Sequence, residues 1–290
     1  MTSTVHERTP PDQGPDDKAV AGAAAVAKRR GVLRGRHSYT VVTVVSLLVL
    51  VVAWEIFGRQ MNPIFASYPT AIAVSFRDQL ADGTLVTAVF DSLKPLLLGY
   101  LIAAAAGIPI GLLLGRYRAV EAALGIYVTG GYAMPMVAFI PLLILWFGLG
   151  FAVKVAVVVV MTVFPIVIST WAGVNAVSKP LVEVGKSFMA SESAIMRKII
   201  LPATVPHIMT GLRLGIGRAV IGIVIAEFFT SIGGLGGLII NAGQRFDTSA
   251  LFVPVIVLMV LGIGLTRGVG WLESRVAPWY AGVSGGRDTE

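Results

Sequence analysis

Twenty consecutive residues, from Pro95 to Leu114, contain no charged side chain. About 20 apolar residues in an α-helix match the ~30 Å hydrocarbon core of a bilayer. Proline is tolerated in the first turn of a helix, and Arg116 closes the run with a charge. The segment therefore predicts a membrane-spanning helix that begins near Pro95.

Composition extends this conclusion to the whole chain. Only 13% of the 290 residues are charged and 56% are apolar, whereas soluble domains carry about 25% charged residues. The chain contains no cysteine, which excludes disulfides, thiolate zinc sites and iron–sulfur clusters. Its three histidines, at positions 6, 37 and 207, are too scattered for a helical zinc motif. We expect a lipid-embedded protein without a metal site.

Six stretches have the length and polarity of spanning helices, which predicts an all-α polytopic membrane protein. The third stretch is interrupted by Gly130, Gly131, Pro135 and Pro141, so we expect a kinked or broken helix there. A glycine-rich segment, 231–247, predicts a loop between the last two spans. The six predicted spans cover residues 40–57, 95–114, 122–149, 151–174, 206–229 and 249–268.

A stripe of glycines lies at the end of the second predicted span. Its members, Gly107, Gly111 and Gly115, recur every four residues. Small residues at this spacing allow helices to approach closely in a membrane. The stripe therefore predicts close helix packing, within one subunit or across a dimer.

Polar segments flank the predicted transmembrane domain, which covers residues 38–282 with a core at about 88–272. Residues 1–37 combine prolines, aspartates and a basic cluster, and we expect a disordered tail. A signal peptide is the competing interpretation, but no small-residue cleavage pattern follows Trp54. Residues 283–290 form a second short tail.

Basic residues predict the orientation. If both termini are cytoplasmic, most of the 23 lysines and arginines fall in cytoplasmic segments, as the positive-inside rule requires. The net charge of +7 then reflects a cytoplasmic face, and we expect no nucleic-acid partner. The predicted location is the plasma membrane.

A polar segment, residues 178–202, interrupts the apolar pattern between the fourth and fifth spans. Its apolar residues recur at helical spacing among charged ones, which is typical of one or two short amphipathic helices. Such helices either lie on the membrane surface or insert into a groove of a soluble partner. The pattern alone leaves both alternatives open.

The same segment resembles the EAA loop, E-A-A-x3-G-x9-I-x-L-P, of binding-protein-dependent ABC importer permeases. Residues that agree with the loop are Glu183, Ala190, Ile199, Leu201 and Pro202. Val184 and Gly185 stand where the pattern has alanines, and Met189 replaces the central glycine. Because glycine permits a bend between two short helices, we expect this loop to bend differently or less sharply.

The resemblance extends from about residue 40 to residue 271. The segments around Ala133–Leu142, Thr210–Leu214 and Ala226–Phe228 are similar to permeases of the nitrate, sulfonate and taurine group. It implies the fold of a type I (MetI-like) importer permease with a coupling loop. It also implies a second permease subunit, forming a homodimer, two ATP-binding subunits and an extracytoplasmic solute-binding protein. ATP and magnesium would bind to the partner subunits, and we expect no cofactor and no catalytic residue in this chain.

Four residues are candidates for the translocation path: Arg218, Glu227, Met134 and Pro135. An ionisable side chain within a span is costly and marks a path, a pair or a polar cavity. Arg218 lies deepest, and the path, a structural pair or an interfacial contact explains it. Glu227 also fits the outer interface, and Lys154 fits a side chain that extends toward the headgroups.

Two other function classes remain as alternatives. An ion-coupled secondary transporter predicts inverted repeats and several buried carboxylates, and we find no convincing repeat. An intramembrane enzyme requires a nucleophile with a base, or a metal cluster, within the spans; His207 alone supplies neither.

Overall fold

The computed structural model describes residues 36–230 and 233–277, and all regular elements in these ranges are helical. The tails predicted at 1–37 and 283–290 lie outside the described residues, apart from residues 36 and 37. The helices are α1 (Arg36–Gln60), α2 (Pro69–Ala81), α3 (Thr84–Arg116), α4 (Arg118–Ala133), α5 (Ile140–Phe147), α6 (Phe151–Asn175), α7 (Lys179–Ser187), α8 (Glu192–Ile195), α9 (Leu201–Thr230), α10 (Gly234–Gln244) and α11 (Thr248–Val276). A 3₁₀ turn, Met136–Phe139, precedes α5, and a π-helical turn, Met196–Ile200, precedes α9.

Five helical segments are long and apolar enough to cross a membrane: α1 from Thr40, α3, α6, the continuous helix Glu192–Thr230, and α11. A sixth span arises if α4 and the segment Met136–Phe147 are counted together, although they are bent by 95°. This bend falls at Met134 and Pro135, where the sequence predicts a broken helix. The predicted all-α polytopic fold is confirmed.

The chain divides into two compact units between Gln60 and Met61. The first contains α1, and the second contains all the other described helices. The boundary predicted at 38–282, with a core near 88–272, stays a prediction.

Helix α6 forms the centre of the second unit and packs along both α3 and α9. Glycines of α3 allow this close approach, because a side chain there would collide with α6. A Cβ at Gly111 would lie 2.6 Å from Cβ of Thr170, and one at Gly115 would lie 2.4 Å from Cβ of Val174. The glycine stripe predicted from the sequence therefore serves helix packing within one subunit.

The predicted start of the second span and the predicted loop at 231–247 are wrong. Helix α3 begins at Thr84, so Pro95 lies inside the helix rather than in its first turn. Burial of Leu85 and Ala88 stabilises the additional turns despite the missing amide of the proline. The segment predicted as a glycine-rich loop contains α10, because tertiary contacts hold the first amides of that helix.

Candidate functional site

The segment 178–202, here called the coupling loop, folds as a helical hairpin. Helix α7 has Pro180 in its first turn and ends at Ser187. The chain then reverses, and the hydroxyl of Ser191 accepts a hydrogen bond from the backbone amide of Ala194 (3.2 Å) at the start of α8. The π-helical turn that follows α8 continues directly into α9. Any displacement of the loop is thus passed to a membrane-spanning helix.

Met189 forms the bend of this hairpin. Its φ of +55° lies in the left-handed region, and its side chain is 93% exposed. This conformation costs an L-residue about 1–2 kcal/mol, and glycine adopts it freely. Methionine thus adopts here the backbone conformation that glycine favours, and the chain reverses at this residue. A bend that is different from, or less sharp than, that of a glycine-containing loop stays a prediction.

One face of the hairpin packs inward. Gly185 is buried, and a Cβ there would lie 2.8 Å from Cδ1 of Ile199. Ile195 and Ile200 are buried with Val174 of α6, while Ala190 and Ile199 pack around them. Leu201 and Pro202 are half-buried at the start of α9. The pattern residues on the C-terminal side of the loop thus anchor it to the helix bundle.

Other side chains of the hairpin are apolar and uncovered. Leu181, Val184, Phe188 and Met189 are exposed, Phe188 by 82%. Glu183 is exposed beside them and forms no ion pair with another described residue. The coupling loop therefore exposes large apolar side chains next to charged ones, among them Glu183, a combination that suits a groove on a soluble partner.

A polar cavity of about 500 Å³ lies between the coupling loop and the ends of α3 and α6. An ion pair between Arg116 and Glu192 connects α3 to the loop. The charged side chains lining the cavity are Arg116, Arg118, Glu121, Lys179, Glu183 and Lys186.

A second cavity, here called the kink cavity, lies within the spans where the chain bends between α4 and α5. Its volume is about 200 Å³, and it brings together three of the four path candidates, Met134, Pro135 and Arg218. The remaining lining residues are Tyr132, Met136, Val137, Val160, Met161, Phe164 and Pro165.

Glu227, the fourth path candidate, lies elsewhere, in a buried polar cluster. Its Oε1 is 3.1 Å from Nζ of Lys154, and both side chains are buried. The hydroxyl of Ser92 donates to the same carboxylate at 2.8 Å. The backbone amide of Gly236 donates to Oε2 at 2.8 Å, and that of Leu235 donates to the hydroxyl of Ser92 at 2.9 Å. Because its side chain is buried against Glu227, the predicted extension of Lys154 toward the headgroups is wrong, whereas the interfacial depth of Glu227 stays a prediction.

The sequence reasoning missed this cluster, although a signal existed. Lys154 lies three residues inside the start of α6, and Glu227 lies three residues inside the end of α9. Because consecutive spans run in opposite directions, α6 starts and α9 ends on the same side of the membrane. Opposite charges at equal depth in two spans favour a pair.

Several apolar spans, a small cavity among them and an exposed amphipathic hairpin at one end define a membrane-embedded transport subunit that works with soluble partners. Comparison with known proteins specifies the class further. Residues 107–278 match the family described as the binding-protein-dependent transport system inner membrane component. The chain belongs to this family of ABC importer permeases.

Relatives and a solved structure agree with this assignment. The chain is 30% identical to SsuC of Bacillus subtilis, named as an aliphatic sulfonates transport permease, over 80% of this chain and 84% of SsuC. It is 28% identical to the taurine transport system permease protein TauC of Escherichia coli, over 81% of this chain and 88% of TauC. A chain of the MetNI methionine ABC transporter in an inward-facing conformation has the same fold, with a TM-score of 0.61 and 17% identity over 68% of this chain and 98% of that chain.

The family assignment confirms the predicted function class. The protein is a multi-pass membrane permease of an ABC importer, and ATP hydrolysis belongs to a separate subunit. Membership of a binding-protein-dependent system also implies an ATPase and a solute-binding protein as partners.

Proposed function

We propose that two copies of this chain form the transmembrane part of an importer for small sulfonate-, taurine- or nitrate-like solutes. Two ATP-binding subunits bind ATP and magnesium at the cytoplasmic side, and an extracytoplasmic protein delivers the solute. Both termini of this chain are cytoplasmic. The names of SsuC and TauC support the solute class, and the distribution of basic residues supports the orientation.

The observation that carries this proposal is the exposed apolar face of the coupling loop. Four large apolar side chains are uncovered on one hairpin, while its other face is anchored to the bundle. Insertion of Phe188 and Val184 into a groove of the ATP-binding subunit would remove this apolar area from water. Glu183 would pair with a basic group of that subunit.

The mechanism is alternating access. Closure of the two ATP-binding subunits around ATP draws the two coupling loops together. Because the π-helical turn Met196–Ile200 continues into α9, motion of the loop reorients a helix that carries Arg218 at the kink cavity. The solute is then released toward the cytoplasm.

Charge reversal of Glu183 tests the docking. We expect Glu183→Lys to reduce co-purification of the ATP-binding subunit and to abolish solute-stimulated ATP hydrolysis. Asp78→Lys is the matched control, because Asp78 is also exposed but lies in α2, outside the coupling loop. Equal assembly and ATPase stimulation in wild type and Glu183→Lys would refute the assignment of the loop.

A further inference from the structure

Arg218 occupies the middle of a membrane-spanning helix. It lies 17 residues after Leu201 and 12 residues before Thr230, the two ends of α9. At about 1.5 Å per residue these separations are roughly 26 Å and 18 Å. An arginine side chain is too short to reach either end of the helix. Its guanidinium therefore stays within the membrane.

Among the residues that the structure describes, none supplies a counter-charge for this guanidinium. Arg218 is exposed, and it forms no hydrogen bond or ion pair with them. Asp91 lies seven residues after the start of α3 and Glu121 in the first turn of α4, so both are away from the middle of a span. A second copy of the chain would add the same carboxylates at the same positions along its helices. Five other carboxylates are already paired: Glu55 with Arg59, Asp78 with Arg77, Glu192 with Arg116, Glu227 with Lys154 and Glu273 with Arg213.

An unpaired arginine at this depth is unfavourable against lipid. The environment that the chain provides instead is the kink cavity, whose lining includes Arg218. Among the described residues of that lining Arg218 is the one charged side chain, and the others are apolar except Tyr132. Pockets for drug-sized ligands measure about 300–1,000 Å³, so a cavity of about 200 Å³ suits a smaller molecule.

We propose that Arg218 is the residue that selects negatively charged solutes in the translocation path. Its guanidinium binds the oxyanion group, because its fork of donors matches two oxygens of one acid. Met134, Met161 and Phe164 contact the organic part of the solute. This inference rests on the proposed function, since it requires that the solute passes through the kink cavity.

The absence of native cysteine makes a direct test available. Val137 lines the kink cavity, and Val137→Cys would place one thiol there in each copy of the chain. In the complete importer, this thiol is treated with anionic 2-sulfonatoethyl methanethiosulfonate or with cationic 2-(trimethylammonium)ethyl methanethiosulfonate. We expect the anionic reagent to be favoured, and the ratio of the two rates to fall about tenfold when Arg218→Gln is added. Ethanesulfonate, an unreactive analogue of the first reagent, slows labelling while Arg218 is present.

Two further variants make the test specific. Arg218→Lys keeps the positive charge, so we expect it to retain the ratio of the anionic to the cationic labelling rate. Arg213→Gln removes a charge from the same helix, but Arg213 pairs with Glu273 outside the cavity, so the ratio stays unchanged. A ratio independent of Arg218, or a thiol that neither reagent labels with or without ATP, would overturn the inference. The labelling requires no transport, so loss of ATP-driven uptake in the wild type would refute the proposed function separately.

Discussion

Nζ of Lys154 lies 3.1 Å from Oε1 of Glu227, and both side chains are buried between α6 and α9. The same carboxylate accepts hydrogen bonds from Ser92 of α3 and from the amide of Gly236 in the first turn of α10. Four helices therefore meet at one carboxylate. A Cβ at Gly234 would lie 1.9 Å from Oε1 of Glu227, so the start of α10 must be glycine to approach it.

Removal of one partner of this pair should be strongly destabilising. Glu227→Gln leaves the Lys154 ammonium buried without a counter-charge, and we expect a loss of about 3–5 kcal/mol in the free energy of unfolding. Thermal denaturation of the purified chain in detergent measures the effect. Lys154→Met leaves the carboxylate uncompensated and should cost a similar amount.

The double variant Lys154→Met, Glu227→Gln separates pairing from simple loss of contacts. Neither position then carries a charge, and the introduced glutamine retains an oxygen for the amide of Gly236 and for Ser92. We expect the double variant to be more stable than either single variant. Additive destabilisation by the two changes would show that the charges do not stabilise each other.

Close packing of α3 on α6 predicts that even a methyl group is harmful at Gly111. Its Cβ would lie 2.7 Å from the backbone oxygen of Val167, which cannot rotate away. We expect Gly111→Ala to cost about 1–3 kcal/mol and to lower the denaturation temperature. Gly264→Ala in α11 is the control, because a Cβ there meets no described atom within 4 Å. An equal response of the two variants would contradict the packing interpretation.

The left-handed conformation of Met189 predicts an order of stability for the coupling loop. Met189→Gly removes the steric cost, whereas Met189→Val increases it because a branched side chain is least compatible with positive φ. Hydrogen exchange of residues 178–202 should be slowest in Met189→Gly and fastest in Met189→Val. The reverse order would show that the Met189 side chain itself stabilises the bend.

Elements dominated by one local signal could be predicted from the sequence. The long apolar run in α6 predicted boundaries within one residue of the observed Phe151–Asn175, and Pro135 marked the break after α4. Helix α10 could not be predicted, because glycines disfavour an isolated helix. The helix forms because the backbone amide of Leu235 donates a hydrogen bond to the hydroxyl of Ser92, which lies 143 residues earlier in the chain.

Some parts of the candidate site could likewise be predicted from the sequence, and others could not. The coupling loop could be located because its motif is continuous in sequence, and the broken helix indicated Met134 and Pro135. The pairing of Lys154 with Glu227 depends on two helices separated by 73 residues, which no local pattern specifies. The positive φ of Met189 results from closure of the hairpin, against the preference of the residue itself.

Binding of the coupling loop to the ATP-binding subunit can be tested by site-specific crosslinking. Phe188 and Phe246 provide a matched pair, since both are exposed phenylalanines, in the coupling loop and in the turn between α10 and α11. A photoreactive benzoylphenylalanine at either position in the complete importer reports which partner is adjacent. We expect crosslinks from position 188 to the ATP-binding subunit and none to it from position 246. Crosslinks to that subunit from position 246, or their absence from position 188, would contradict this binding.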